Sequence, residues 1–191
     1  MRTAESVTMA YYHFDFREVD KQDQYGLLSS LVFQLSTESG SCRKVLSQLF
    51  FDHSSGAQKP TTSALTKCLK DMLNLPDHGP IYIIVDAFDE CPDVSGNPSK
   101  REEVLRLVRE LADLKLSNLH LCVASRPEIG IQKTFKPLNP LEINLHEETG
   151  QKEDIIEYIK FFVDTDEKMR SWKDKDKKLV VKMLSEKAGG M

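Results

Sequence analysis

Residues 81–85, Ile-Tyr-Ile-Ile-Val, form an apolar run without alternation, and an aspartate follows at once. Five residues are too few for a buried helix and suit a strand. A strand with no polar side is expected to be buried on both faces, as in the middle of a parallel sheet. Leu119–Ala124 (LHLCVA) reads as another short buried strand. Thr8–Phe16 reads as a strand rich in aromatic residues, and Leu141–Leu145 (LEINL) alternates as an edge strand would. Between these runs the apolar spacing becomes helical. Gln24–Leu35 is apolar at 27, 28, 31, 32 and 35, and Cys42–Phe51 turns Val45, Leu46, Leu49 and Phe50 inward. A third helix follows the capping hydroxyls of Thr61–Ser63 and places Leu65, Leu69, Met72 and Leu73 on one side. Further helices are expected over Lys100–Leu114, Asp154–Val163 and Lys177–Lys187, the last capped by Gly189–Gly190. Asp154–Val163 turns Ile155, Ile156, Ile159, Phe162 and Val163 inward. Strands alternating with helices predict a parallel α/β sheet with helices on both faces.

The 191 residues fit one domain, and 40% hydrophobic content is enough for a core. A net charge of −4 has the wrong sign for a nucleic-acid binder held by phosphate contacts. The four cysteines, Cys42, Cys68, Cys91 and Cys122, show no C-x-x-C spacing and no clustering with histidine. Zinc and a disulfide framework are therefore not expected, and a reducing, cytoplasmic setting is. No apolar run approaches the ~20 residues that span a bilayer. Met1–Val7 lacks the layout of a signal peptide.

The chemistry concentrates in Ile81–Asp93, IYIIVDAFDECPD. Parallel sheets present ligands at the carboxyl ends of their strands, where Asp86 falls. A carboxylate there suits a hydrated Mg²⁺. Asp89 and Glu90 follow, and a second acid near the metal can polarise the water that attacks a phosphate. The small Ala87 keeps the turn narrow. Against this stands the plain alternative that acids cap turns after buried strands. A calcium loop does not fit, since the acids do not alternate around a glycine. Arg126, in Ser125–Arg126–Pro127, ends the next strand on the same rim, placed to meet a γ-phosphate or simply to sit on the surface. His13, His53, His78, His120 and His146 are spaced too widely for a metal pair, and Cys91 reads as a packing thiol. Phe161, Phe162 and Trp172 read as core or interdomain contacts, and Lys168–Lys178 as a solvated connector.

Taken in order, AYYHFDF, GLLSSLVFQLS, IYIIVDAFDEC, LCVASRPE and INLHEETGQKEDIIEYI resemble the NACHT module of STAND-class P-loop NTPases. The form is that of fungal NOD-like receptors and nephrocystin-like N-terminal domains. The resemblance runs from about Met9 to the C-terminus. It implies a partial domain with a Walker B strand near 81–90, a sensor-like strand near 119–127 and C-terminal helices near 153–191. It implies Asp86 as the Mg²⁺ acid, Asp89 and Glu90 as acids near the catalytic water, and Arg126 as a sensor for bound ATP or GTP.

The family's phosphate-binding loop, G-x-x-x-x-G-K-[ST], is not in these 191 residues, which contain no Gly-Lys pair. The resemblance places the loop just before this chain and its strand between those at Leu119 and Leu141. The sheet is thus expected to be three-layered but incomplete. A fragment or truncated product and a degenerate copy both fit. The functional readings are an ATPase switch module of a signalling protein, not competent alone, and a nucleotide-free scaffold. The partners expected are other domains of a longer protein or further copies of the chain, without nucleic acid or membrane. A DNA-acting AAA+ ATPase is a weaker third, lacking any basic stripe.

Overall fold

The computed structural model describes residues 7–76, 78–93, 98–144 and 149–188. It divides into two units, Met1–Pro140 and Leu141–Met191.

In the first unit the elements run β1 (Thr8–His13), α1 (Gln24–Glu38), α2 (Gly40–Asp52), α3 (Thr62–Leu73), β2 (Ile81–Asp86), α4 (Lys100–Ala112), β3 (Leu119–Val123) and α5 (Ile129–Phe135). Side-chain oxygens start the helices where the sequence offers them. Asp23 accepts from the Gly26 amide at 3.0 Å and Thr61 from the Ala64 amide at 3.2 Å. Ser99 and Glu102 form a reciprocal capping box at the start of α4. The three strands form one parallel sheet in the order β1-β2-β3, with His13 opposite Asp86 and Val85 opposite Val123. The apolar run at Ile81 is thus the central strand, parallel to Leu119–Val123 as the sequence predicts.

One face of the sheet carries the core. Ala10, Tyr12, Ile81, Ile83 and Val85 pack with Leu27, Leu28 and Leu31 of α1, Leu65, Leu69 and Met72 of α3, and Val104, Leu107 and Leu111 of α4. On the other face Met9, Tyr11 and Tyr82 are 55%, 62% and 41% exposed. β2 is therefore buried on alternate residues, not on both faces as its composition suggests. β3, expected to be buried, is half open along its length. The parallel α/β sheet is present in incomplete form, with the helical layer on one side in place. Tyr82 shelters part of its ring by stacking on His120, with centroids 4.6 Å apart.

The two sheet edges differ. At β1 the Gln34 side chain takes the place of a neighbouring strand, accepting from the Tyr11 amide at 3.0 Å and donating to the Tyr11 carbonyl at 2.7 Å. This satisfies an edge that otherwise invites pairing. β3 has no second neighbour among the described residues. The strand expected at Leu141–Leu145 does not form over 141–144, where Leu141 and Ile143 are 91% and 67% exposed. Leu145 lies outside the described residues. Alternating side chains do not make a strand without a ladder to join.

Other departures are local. Phe50 turns outward, 49% exposed, while Val45, Leu46 and Leu49 pack on the core. α5 and the single turn Ser54–Gly56 lie where no helix is expected. Gly26 meets a close approach, since a Cβ there would lie 2.2 Å from the Asp20 carbonyl oxygen and 2.6 Å from the Tyr12 hydroxyl. Gly26→Ala is expected to destabilise the chain by ~1–3 kcal/mol in urea unfolding, the usual cost of overpacking.

The second unit pairs α6 (Thr149–Thr165) with α7 (Asp174–Ala188). Val163 is buried, but Phe162 is 47% exposed rather than packed inward, and Phe161 and Trp172, 66% and 41% exposed, are not core residues. α7 begins at Asp174, so the supposed connector Lys168–Lys178 is partly helical, with Asp174 and Asp176 favourably placed in the first turn. The Gly189–Gly190 cap lies outside the described residues.

Candidate functional site

The carboxyl ends of the three strands share one rim, and the chain leaves each in a defined way. Because β1 and β2 pair in register, His13 stands beside Asp86, Nδ1 to Oδ2 at 3.3 Å, with side chains 50% and 57% exposed. The Asp86 backbone is tied on the β1 side, where its carbonyl accepts from the Phe14 amide at 3.1 Å. Its Oδ1 accepts from the Ala87 amide at 2.8 Å. Ala87 adopts the left-handed conformation, φ 50° and ψ 45°. An alanine carries the Cβ that makes this conformation unfavourable, so the surrounding contacts must hold it there. The chain then makes one turn of 3₁₀ helix, Phe88–Glu90. The Phe88 amide donates to the Ala124 carbonyl at 3.0 Å, fixing this turn to the end of β3.

The three acids have different surroundings. Asp86 is open. The Asp89 side chain is only 10% exposed, and its Oδ1 accepts from the Arg126 amide at 2.9 Å. The Arg126 Nε lies 3.5 Å from Asp89 Oδ2, and that side chain is 79% exposed. Asp89 therefore holds the Ser125–Arg126 turn. Glu90 Oε2 accepts from the Phe16 amide beyond β1 at 3.3 Å. All four residues singled out in the sequence, Asp86, Asp89, Glu90 and Arg126, thus gather on one rim. Two others join them without an advance signal. His13 is brought in by strand register and Arg101 by the start of α4.

Cys91, next to the acids, is fully buried. Burial is the main influence on its thiol and pushes it up to about 12, only partly opposed by Arg101. It is a packing thiol, not a nucleophile.

Asp86 offers one open carboxylate, and no group of three or more potential metal ligands occurs among the described residues. That donor set fits Mg²⁺ retaining most of its water, not a protein-caged ion. The phosphate chain of a nucleotide is less well served, since these 191 residues hold no glycine-rich amide cradle with its lysine.

A family model described as Nephrocystin 3, N-terminal matches residues 1–126. The match spans β1, β2 and β3, includes all three acids and ends at Arg126. No curated protein and no solved structure matches the chain.

Proposed function

The chain belongs to the nephrocystin 3 N-terminal family, and from that premise we propose that it is the acid-bearing part of a NACHT-type nucleotide-switch module in a signalling protein. The observation that carries the reading is the placement of Asp86 at the carboxyl end of the central parallel strand, open to solvent, with Glu90 and Arg126 on the same rim. In this reading Asp86 would hold Mg²⁺ through the ion's own water. Bound Mg²⁺ would neutralise charge on the β- and γ-phosphates of ATP or GTP. Glu90 orients and polarises the attacking water. Arg126, whose guanidinium is mostly exposed, turns from Asp89 to the γ-phosphate. Asp89 serves the module by holding the Arg126 backbone rather than by facing the water.

A second reading, a nucleotide-free scaffold, draws on the open apolar face at Met9, Tyr11 and Tyr82. Its partners are other domains of a longer protein or further copies of the chain. A cytoplasmic setting goes with either reading. Among the described residues no helix is long and apolar enough to cross a membrane.

Calorimetric titration of the 191-residue chain with Mg²⁺–ATP is expected to give an affinity no tighter than ~1 mM, about −4 kcal/mol. Micromolar binding would mean that another segment supplies phosphate contacts. Mn²⁺ binding that Asp86→Asn abolishes would favour the switch. Equal Mn²⁺ binding by the parent and Asp86→Asn would favour the scaffold.

A further inference from the structure

We infer that Arg101 is a positioning residue for the acidic turn, fixing the backbone from which Asp89 and Glu90 project, directly after the Ala87 amide that holds the Asp86 carboxylate at 2.8 Å; the inference rests on the metal-binding role proposed for Asp86. The sequence places Arg101 in the first turn of an amphipathic helix, where an arginine is ordinarily solvated. Here its side chain is only 12% exposed. Nε donates to the Cys91 carbonyl at 2.8 Å and Nη2 to the Asp89 carbonyl at 2.7 Å. Nη1 donates to Glu128, at the start of α5, and lies 3.8 Å from an Asp93 carboxylate oxygen. Each guanidinium nitrogen therefore has its own acceptor. Two of those acceptors are backbone carbonyls of the turn itself.

The turn needs such support. Within it only the Glu90 amide to the Ala87 carbonyl, at 2.9 Å, and the Cys91 amide to the Phe88 carbonyl, at 3.1 Å, close hydrogen bonds. Its first residue sits in the left-handed region, which an alanine leaves readily. Without Arg101, the Asp89 and Cys91 carbonyls would lose their guanidinium donor in a largely buried place. The turn could then relax, moving Asp89 and Glu90 and releasing the Asp86 carboxylate from the Ala87 amide. A lysine keeps the charge but not the planar fork that serves three acceptors at once. Arg101 touches neither ion nor nucleotide in this arrangement. It acts as the outer partners of metal ligands do, here through the turn whose Ala87 amide orients the Asp86 carboxylate.

The test uses the 191-residue chain, its Arg101→Ala, Arg101→Lys and Asp86→Asn variants, and two readouts. The first is amide hydrogen exchange at Glu90 and Cys91. The second is Mn²⁺ affinity from water-proton relaxation. Arg101→Ala is expected to speed exchange at those two amides by about tenfold or more while the amides of β2 stay protected. It is expected to weaken Mn²⁺ binding ~10- to 100-fold, the usual range for partners behind a metal ligand. Millimolar methylguanidine should restore both. Arg101→Lys should fall between, and its two readouts decide the question if Arg101→Ala does not fold. Asp86→Asn should lose Mn²⁺ with exchange unchanged. Exchange unaltered in the Arg101 variants would overturn the clamp. Faster exchange with Mn²⁺ affinity intact, in a chain where Asp86→Asn loses it, would make Arg101 merely structural and overturn the positioning role. Equal Mn²⁺ binding by the parent and Asp86→Asn would bring down the metal reading itself, and the role of Arg101 in serving it.

Discussion

Glu90→Gln is expected to slow nucleotide hydrolysis by ~100- to 10,000-fold in a chain fused to a strand and loop carrying G-x-x-x-x-G-K-[ST], with nucleotide affinity nearly unchanged. The substitution keeps shape and removes the charge that would polarise water. Its amide oxygen can still accept from the Phe16 amide, as the Glu90 carboxylate does. The turn should therefore hold, and only the chemistry should suffer. Asp86→Ala should behave differently, weakening the Mg²⁺-dependent part of binding along with the rate, because a metal-linked carboxylate serves both. Asp89→Ala separates a third role. Its carboxylate accepts from the Arg126 amide, so its loss should loosen the Ser125–Arg126 turn more than it alters the water. Single-turnover hydrolysis and equilibrium binding on the three variants distinguish these outcomes. If Asp86→Ala and Glu90→Gln both leave hydrolysis unchanged, the Walker B reading fails and the fold alone remains.

Much of the sheet was legible because short apolar runs bounded by turn residues have few other uses. Ile81–Val85 and Leu119–Val123 became adjacent parallel strands because each is followed by a redirecting segment and separated by an amphipathic helix. Burial was less legible. An apolar side chain records the tendency to be covered, and Tyr82 carries that tendency without cover in this chain. Leu141–Asn144 fails for a related reason, since a strand is a property of a pair and its neighbour is not among the described residues.

The candidate site was legible in position but not in the duties of its members. Asp86, Asp89 and Glu90 lie within four places of one another in the sequence, yet one faces solvent, one holds the β3 turn and one holds the segment after β1. That division depends on the left-handed Ala87 and the 3₁₀ turn behind it, which no periodicity announces. His13 depends on register, since only pairing in parallel at that offset brings it to Asp86. Arg101 depends on the closeness of α4 to the turn. An arginine in the first turn of a helix carries no mark that its guanidinium will be buried.

Phe88→Ala is expected to cost ~3–5 kcal/mol of stability, a large part of the ~5–15 kcal/mol typical of a domain. Phe88 lies between two acids in sequence, yet its ring is fully buried. It meets Phe14 edge-on at 5.7 Å and Phe135 at 5.9 Å, so it joins the segments leaving β1 and β2 to the end of α5. Each such aromatic contact adds ~0.5–1.5 kcal/mol beyond the area buried. The cavity left by alanine has little freedom to collapse. The Phe88 amide is held by the Ala124 carbonyl, and the turn is gripped from behind by Arg101. Phe88→Leu keeps most of the volume and should cost less, losing the ring contacts but not the filling. Denaturant unfolding of both variants, with the slope against denaturant compared to the parent, reads the difference. A cost below ~1 kcal/mol for Phe88→Ala would mean that the ring does not plug the space between the segments leaving β1 and β2 and the end of α5, and that the acidic turn is anchored from its polar side alone.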